Sequence, residues 1–126
     1  MLSQARADAC LPATDMKRAK AWYQEKLGLT PSKEDEGGAQ FSLADGTSLY
    51  LFPTAITERG GHTQVGLTVT DLKAEIAELR ARGVVFEEYD MPGLKTTDGV
   101  VEWPDGSGAW FKDSEGNLLG LVQPSR

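Results

Sequence analysis

Thr14-Asp15-Met16-Lys17 and Thr70-Asp71-Leu72-Lys73 decide the fold. Each follows a short apolar run and opens a helix-like stretch, and they lie 56 residues apart (70 minus 14). A second echo has an offset of 70 (111 minus 41). Phe41 with Asp45-Gly46-Thr47-Ser48-Leu49-Tyr50-Leu51-Phe52 parallels Phe111 with Glu115-Gly116-Asn117-Leu118-Leu119-Gly120-Leu121-Val122. A period near half of the 126 residues means two copies of one supersecondary unit sharing a core.

Working outward from the first signal, residues 7–13 are small and apolar and read as a strand. Thr14-Asp15 supplies an N-cap pair. Met16, Ala19, Trp22, Tyr23 and Leu27 recur at helical spacing, and Gly28 is placed to end the helix. Trp22 and Tyr23 belong to the core. Residues 29–35 read as extended, with Pro31 favouring an edge. Gly37-Gly38 turns the chain into Gln40–Leu43, and Asp45-Gly46 turns it again into the strand Ser48–Phe52.

The second copy repeats this order. Gln64–Val69 is a strand, Asp71 caps a helix with Leu72, Ile76 and Leu79 on one face, and Gly83 ends it. Val84–Tyr89 reads as a strand, followed by an irregular stretch from Asp90 to Asp105, then strands over Ala109–Lys112 and Leu118–Gln123. Both copies are therefore β-α-β-β-β, an α+β chain with antiparallel-rich mixed sheets. One domain spans 1–126, with module one at 5–53, a linker at 54–62 that follows Pro53 and carries Gly60 and Gly61, and module two at 63–124. The two offsets differ by 14 residues (70 minus 56), and Asp90–Asp105 is where the surplus fits. It carries Trp103, which either caps a ligand as part of a lid or plugs a gap at the edge of the fold.

Composition narrows the partners. The net charge of -6 disfavours nucleic acid and anionic membranes, which need clustered Lys and Arg. No apolar run approaches a membrane span, and Met1–Asp8 lacks an apolar signal core. Cys10 is the single cysteine, so no intrachain disulfide exists and a cytoplasmic location is expected. With one His and one Cys, no Ser-His-Asp or Cys-His catalytic set is credible. The glycine pairs lack the strand-glycine-helix order of a phosphate loop. Asp8 as a general base and Cys10 as a nucleophile are open readings, each set against a plain structural role.

Ala19-Lys20-Ala21-Trp22-Tyr23-Gln24-Glu25-Lys26-Leu27-Gly28-Leu29 and Phe111-Lys112-Asp113-Ser114-Glu115-Gly116-Asn117-Leu118-Leu119 carry a specific likeness. With the paired modules, they make the chain resemble the vicinal oxygen chelate superfamily: the glyoxalase, bleomycin-resistance and extradiol-dioxygenase group. The resemblance covers nearly the whole chain. It implies sheets curled around a concave pocket, helices on the outer face, and a homodimer. It also implies four metal-ligand positions, which fall here on Asp8, Tyr50, Gln64 and Gly120. Gly120 has no side chain and Tyr50 is a poor ligand, so no metal and no other cofactor is expected. His62 lies two residues before Gln64 on the same strand parity, and reads more readily as a solvated linker residue.

Strand alternation sorts the remaining residues. Ala9, Leu11, Ala13, Leu49, Leu51, Val65, Leu67, Val69, Leu119 and Leu121 should face the helices. The pocket face then carries Asp8, Cys10, Tyr50, Phe52, Gln64 and Gly120, bordered by Trp103 and Trp110. For Tyr50 and Trp110, pocket and core are both open. These eight are the candidate ligand-binding residues, and no catalytic residue is assigned. The lining suits an aromatic or hydrophobic molecule. The expected function is metal-free sequestration of such a compound, of the bleomycin-resistance, antibiotic-resistance type. The alternative is a glyoxalase-like lyase or isomerase with an atypical metal site, and a third reading is an accessory domain without ligand.

Overall fold

The computed structural model describes residues 1–125; Arg126, the last residue of the expected domain, lies outside the described residues. The element order is β1 (Ala9–Ala13), α1 (Met16–Leu27), β2 (Lys33–Asp35), β3 (Gly38–Ser42), β4 (Ser48–Pro53), β5 (Thr63–Thr68), α2 (Leu72–Ala81), β6 (Asp90–Met91), β7 (Leu94–Lys95), β8 (Val101–Trp103), β9 (Gly106–Lys112) and β10 (Leu118–Pro124). Two four-stranded sheets run β1-β4-β3-β2 and β5-β10-β9-β8. In each, the first strand pairs parallel with the last and the other pairings are antiparallel. This is the α+β, two-module fold that the repeats demand. Among the described residues no helix is long and apolar enough to cross a membrane.

The helices form where their caps say. The Asp15 carboxylate accepts the Arg18 amide at 3.0 Å, and the Asp71 carboxylate accepts the Ala74 amide at 3.1 Å. Gly28 ends α1 in the left-handed region (φ 69°), where a Cβ would be strained. Leu11, Ala13, Leu49, Leu51 and Phe41 pack under Ala19 and Tyr23 of α1. Leu119, Leu121, Phe111 and Ala109 pack under Leu72, Ile76 and Leu79 of α2. The expected helix-facing parity thus holds at the centre of both sheets. It weakens at Ala9 and along β5, where Val65 and Leu67 are only half-buried.

The structure departs from the sequence reading at one place. Val84–Tyr89 is not a regular strand; it makes a single bridge, Phe86 to Phe111, and one further bond from the Glu87 amide to the Trp110 carbonyl. Its alternation is real, with Val84 and Phe86 buried and Val85 exposed. Its far end, however, is bonded elsewhere: Thr96 accepts the Tyr89 amide on its hydroxyl and donates its own amide to the Tyr89 carbonyl. The stretch expected to be irregular holds a β6–β7 hairpin and β8, which takes the sheet position that β2 holds in the first module.

The turn from β9 to β10 ties the two modules together. Asp113 accepts the Tyr23 hydroxyl at 2.7 Å and the amides of Glu115 and Asn117. Asn117 donates to the Pro12 carbonyl and accepts from Gln64, at 2.9 Å each. Glu115 reaches the first turn of α1. It accepts the Thr14 and Asp15 amides at 3.0 and 3.1 Å and a fork from Arg18 at 2.8 and 2.9 Å. A carboxylate at a helix N-terminus meets unpaired amides and the positive end of the dipole. Burial opposes ionisation of Glu115, but Arg18, the Ser114 hydroxyl and the Asp15 amide outweigh it and hold its pKa at about 2, against an ordinary 4.5.

Glu115 therefore stabilises the fold fully above pH 4.5, and that contribution is lost as pH falls towards about 2. Glu115→Gln should cost about 1–2 kcal/mol at pH 7, a figure that allows for solvent screening at the half-exposed Arg18. Urea midpoints followed down from neutral pH should fall more steeply for the parent than for the variant below pH 4.5, so that the gap narrows. Parallel curves would refute this role.

Candidate functional site

On the sheet faces away from the helices, the eight candidate residues fall into two groups. In the first sheet, Cys10 is the register partner of Tyr50, and Pro12 that of Phe52. Asp8 precedes β1 and accepts the Ser48 hydroxyl at 2.9 Å and Arg6 at 3.3 Å, while Gln40 donates to Ser48. Cys10 is exposed, with its sulfur 3.8 Å from the Asp8 carbonyl. Tyr50 and Phe52 are half-buried. The Tyr50 ring lies across the turn between β2 and β3: a Cβ added at Gly37 or Gly38 would come within 2.9 Å of it. Those glycines leave room for the phenol end of the ring.

The second sheet carries an aromatic shelf. Trp110 on β9 lies over Gly120 on β10 and donates its ring N–H to the Thr63 hydroxyl at 3.0 Å. Trp103 on β8 stands at 5.9 Å and 87° to it, and Tyr89 at 5.6 Å and 83°. Trp103 lies over Gly108 in the same way. Edge-to-face geometry stabilises such clusters, and Trp103 still exposes 37% of its surface. Beyond Gly120, its register partner Gly66 opens onto free space. Tyr89 and Thr63 are the parts of this shelf that sequence reasoning did not single out. The signal for Tyr89 was its strand parity with Glu87, whose amide bonds the Trp110 carbonyl. Burial, then the nearby Glu87 charge, raises the Tyr89 pKa, so its ring is a neutral phenol at physiological pH.

Gln64 does not offer a free side chain. Its amide nitrogen donates to Asn117 and its oxygen accepts the Leu118 amide. His62 is exposed in the turn before β5, bonded to the adjacent Thr63 carbonyl. The four positions that could hold a divalent ion by resemblance therefore present one carboxylate already shared with Ser48 and Arg6, one phenol, one committed amide and one glycine. Among the described residues no three His, Cys, Asp or Glu side chains gather. This donor set does not fit a hard divalent ion, which needs several converging carboxylates or imidazoles.

Two clefts lie elsewhere. One of about 560 Å³ separates α2 from residues 95–102. The other, of about 540 Å³, opens at the seam between the modules, and none of the eight candidates lines it.

Two four-stranded βαβββ modules with this face define the class. The chain belongs to the Glyoxalase/Bleomycin resistance protein/Dioxygenase superfamily, whose family model matches residues 6–121. It is similar to the crystal structure of TnmS3, an antibiotic binding protein from Streptomyces sp. CB03234, at 27% identity and a TM-score of 0.71, over 97% of this chain and 98% of that one. A glyoxalase/bleomycin resistance protein from the same organism is 28% identical with a TM-score of 0.65, over 93% and 100%. The structure of UcmS2 shares the fold at 24% identity and a TM-score of 0.73, over 94% and 98%. No curated protein matches the chain.

Gly120 is the position to probe the shelf. A Cβ there would meet the Trp110 ring at 3.0–3.2 Å. Gly120→Val should displace Trp110 and break its bond to Thr63, changing the near-UV circular dichroism and red-shifting tryptophan emission while far-UV signal is retained. An unchanged near-UV spectrum would mean the ring does not rest there.

Proposed function

We propose that this chain is a metal-free binding protein that sequesters an aromatic or hydrophobic small molecule. The observation that carries this reading is the shelf of Trp103, Trp110 and Tyr89, standing beside Gly120, one of the four positions at which the resemblance expects an ion-holding group. Flat rings and open backbone favour stacking of a planar ligand. The named antibiotic-binding protein among the structural neighbours supports the same reading. Asp8, Cys10, Tyr50 and Phe52 supply a second, more polar wall on the first sheet, and Gln64 positions the seam rather than the ligand. We propose a cytoplasmic homodimer as the working form, because pairing of two chains would set one module's face against another's.

The test is a titration of intrinsic tryptophan fluorescence with a panel of planar aromatic antibiotics, using protein before and after chelator treatment. Saturable quenching is expected, unaffected by chelator, with the compound recovered chemically intact. Trp110→Ala should weaken binding about tenfold, the loss of one well-placed ring contact. Turnover of the compound, or binding that disappears with the chelator and returns with a divalent ion, would overturn the proposal in favour of an enzyme.

A further inference from the structure

The two cores meet at a seam that is only half closed. Trp22, Leu27, Val65 and Leu67 pack against both buried clusters. α1 stops at Leu27, so beyond it the helix-facing side of β5 lacks a cover. Val65, Leu67 and Val69 stay half-exposed there, above Leu49 and Leu121 from the two sheets. The resulting cleft of about 540 Å³ is of small-molecule size. Leaving so much apolar surface wet is unfavourable, and a ligand's hydrocarbon body would relieve it.

Its charged groups are all of one sign. Asp45 and Glu75 stand at the rim, and no lysine, arginine or histidine lines the cleft. Among the described residues neither carboxylate enters an ion pair. We infer that this seam is a second ligand site, lined by none of the eight candidate residues, and that it takes a small apolar amine. The hydrocarbon lies along Val65, Leu67 and Val69, and the ammonium stays at the rim with Asp45 and Glu75. Charge complementarity selects the amine over neutral or acidic molecules of the same shape.

The experiment compares n-hexylamine with n-hexanol, which carry no ring to stack on Trp110, on the full chain, by calorimetry and by amide chemical-shift changes. The amine should bind saturably and about tenfold tighter than the alcohol, the effect of one partly screened charge contact. The Asp45→Asn/Glu75→Gln double variant should erase that preference; Asn tolerates the positive φ that Asp45 adopts, so the turn is kept. Leu67→Phe, which fills the cleft, should remove binding of both compounds, and Trp110→Ala should change neither. The inference is overturned by absence of saturable amine binding, by equal affinity for amine and alcohol, or by loss of binding in Trp110→Ala. It is also overturned if sedimentation shows a dimer that Leu67→Phe dissolves and the amine does not, since a second copy would then own the cleft.

Discussion

The structure hangs on the buried Glu115 carboxylate at the start of α1. One oxygen collects the Thr14 and Asp15 amides, and both oxygens meet Arg18. A helix N-terminus ordinarily satisfies its free amides with its own cap and with water. Here Asp15 caps from within while Glu115 caps from the other module. The adjoining Asp113 and Asn117 then bind Tyr23, Pro12 and Gln64, so that one five-residue turn fixes the position of β1, α1 and β5 at once. Every polar side-chain atom buried among the described residues has a partner, so the cost of desolvating this network is met inside it.

With the seam fixed, the sheet faces take their character from small residues. Gly37 and Gly38 leave room for the tip of Tyr50, Gly108 for the edge of Trp103, and Gly120 for the edge of Trp110. At each of these glycines the edge of a ring occupies the space that a Cβ would take. That arrangement holds rings in fixed orientation without enclosing them, which is what a stacking surface needs. On the first sheet the one carboxylate nearby, Asp8, is already engaged by the Ser48 hydroxyl.

The repeat made most of the fold legible. Caps at Asp15 and Asp71 and the Gly28 terminator set both helices, and period-two alternation set the strands that carry Leu49, Leu51, Leu119 and Leu121. The second module's outer strand was misplaced because Val84-Val85-Phe86 alternates as well as any strand does. The far end of that segment is held instead by Thr96, seven residues beyond Tyr89, whose hydroxyl accepts the Tyr89 amide, and alternation carries no information about such a partner. The candidate site was legible where it depended on register, as with Trp110 and Gly120. It was not legible where it depended on the path of an insertion, as with Tyr89, or on a side chain already spoken for, as with Gln64. Nor did strand parity show the cleft beside Val65 and Leu67, because a missing cover is a property of helix length and placement rather than of the strand itself.

The carboxylate that completes the first helix lies about a hundred positions downstream of it, in contacts separated by 97 to 101 residues. A chain emerging from the ribosome therefore makes its first module long before the group that locks it arrives. Closing so long a loop carries an entropy cost that local structure cannot prepay. The N-terminal half must wait in a looser state, with Tyr23 lacking Asp113 and the Thr14 amide lacking Glu115, until the last turn is synthesised. Fragments ended before residue 113 should for that reason be bound by chaperones and cleaved readily, and the final docking of the β9–β10 turn should set the pace at which the native state appears.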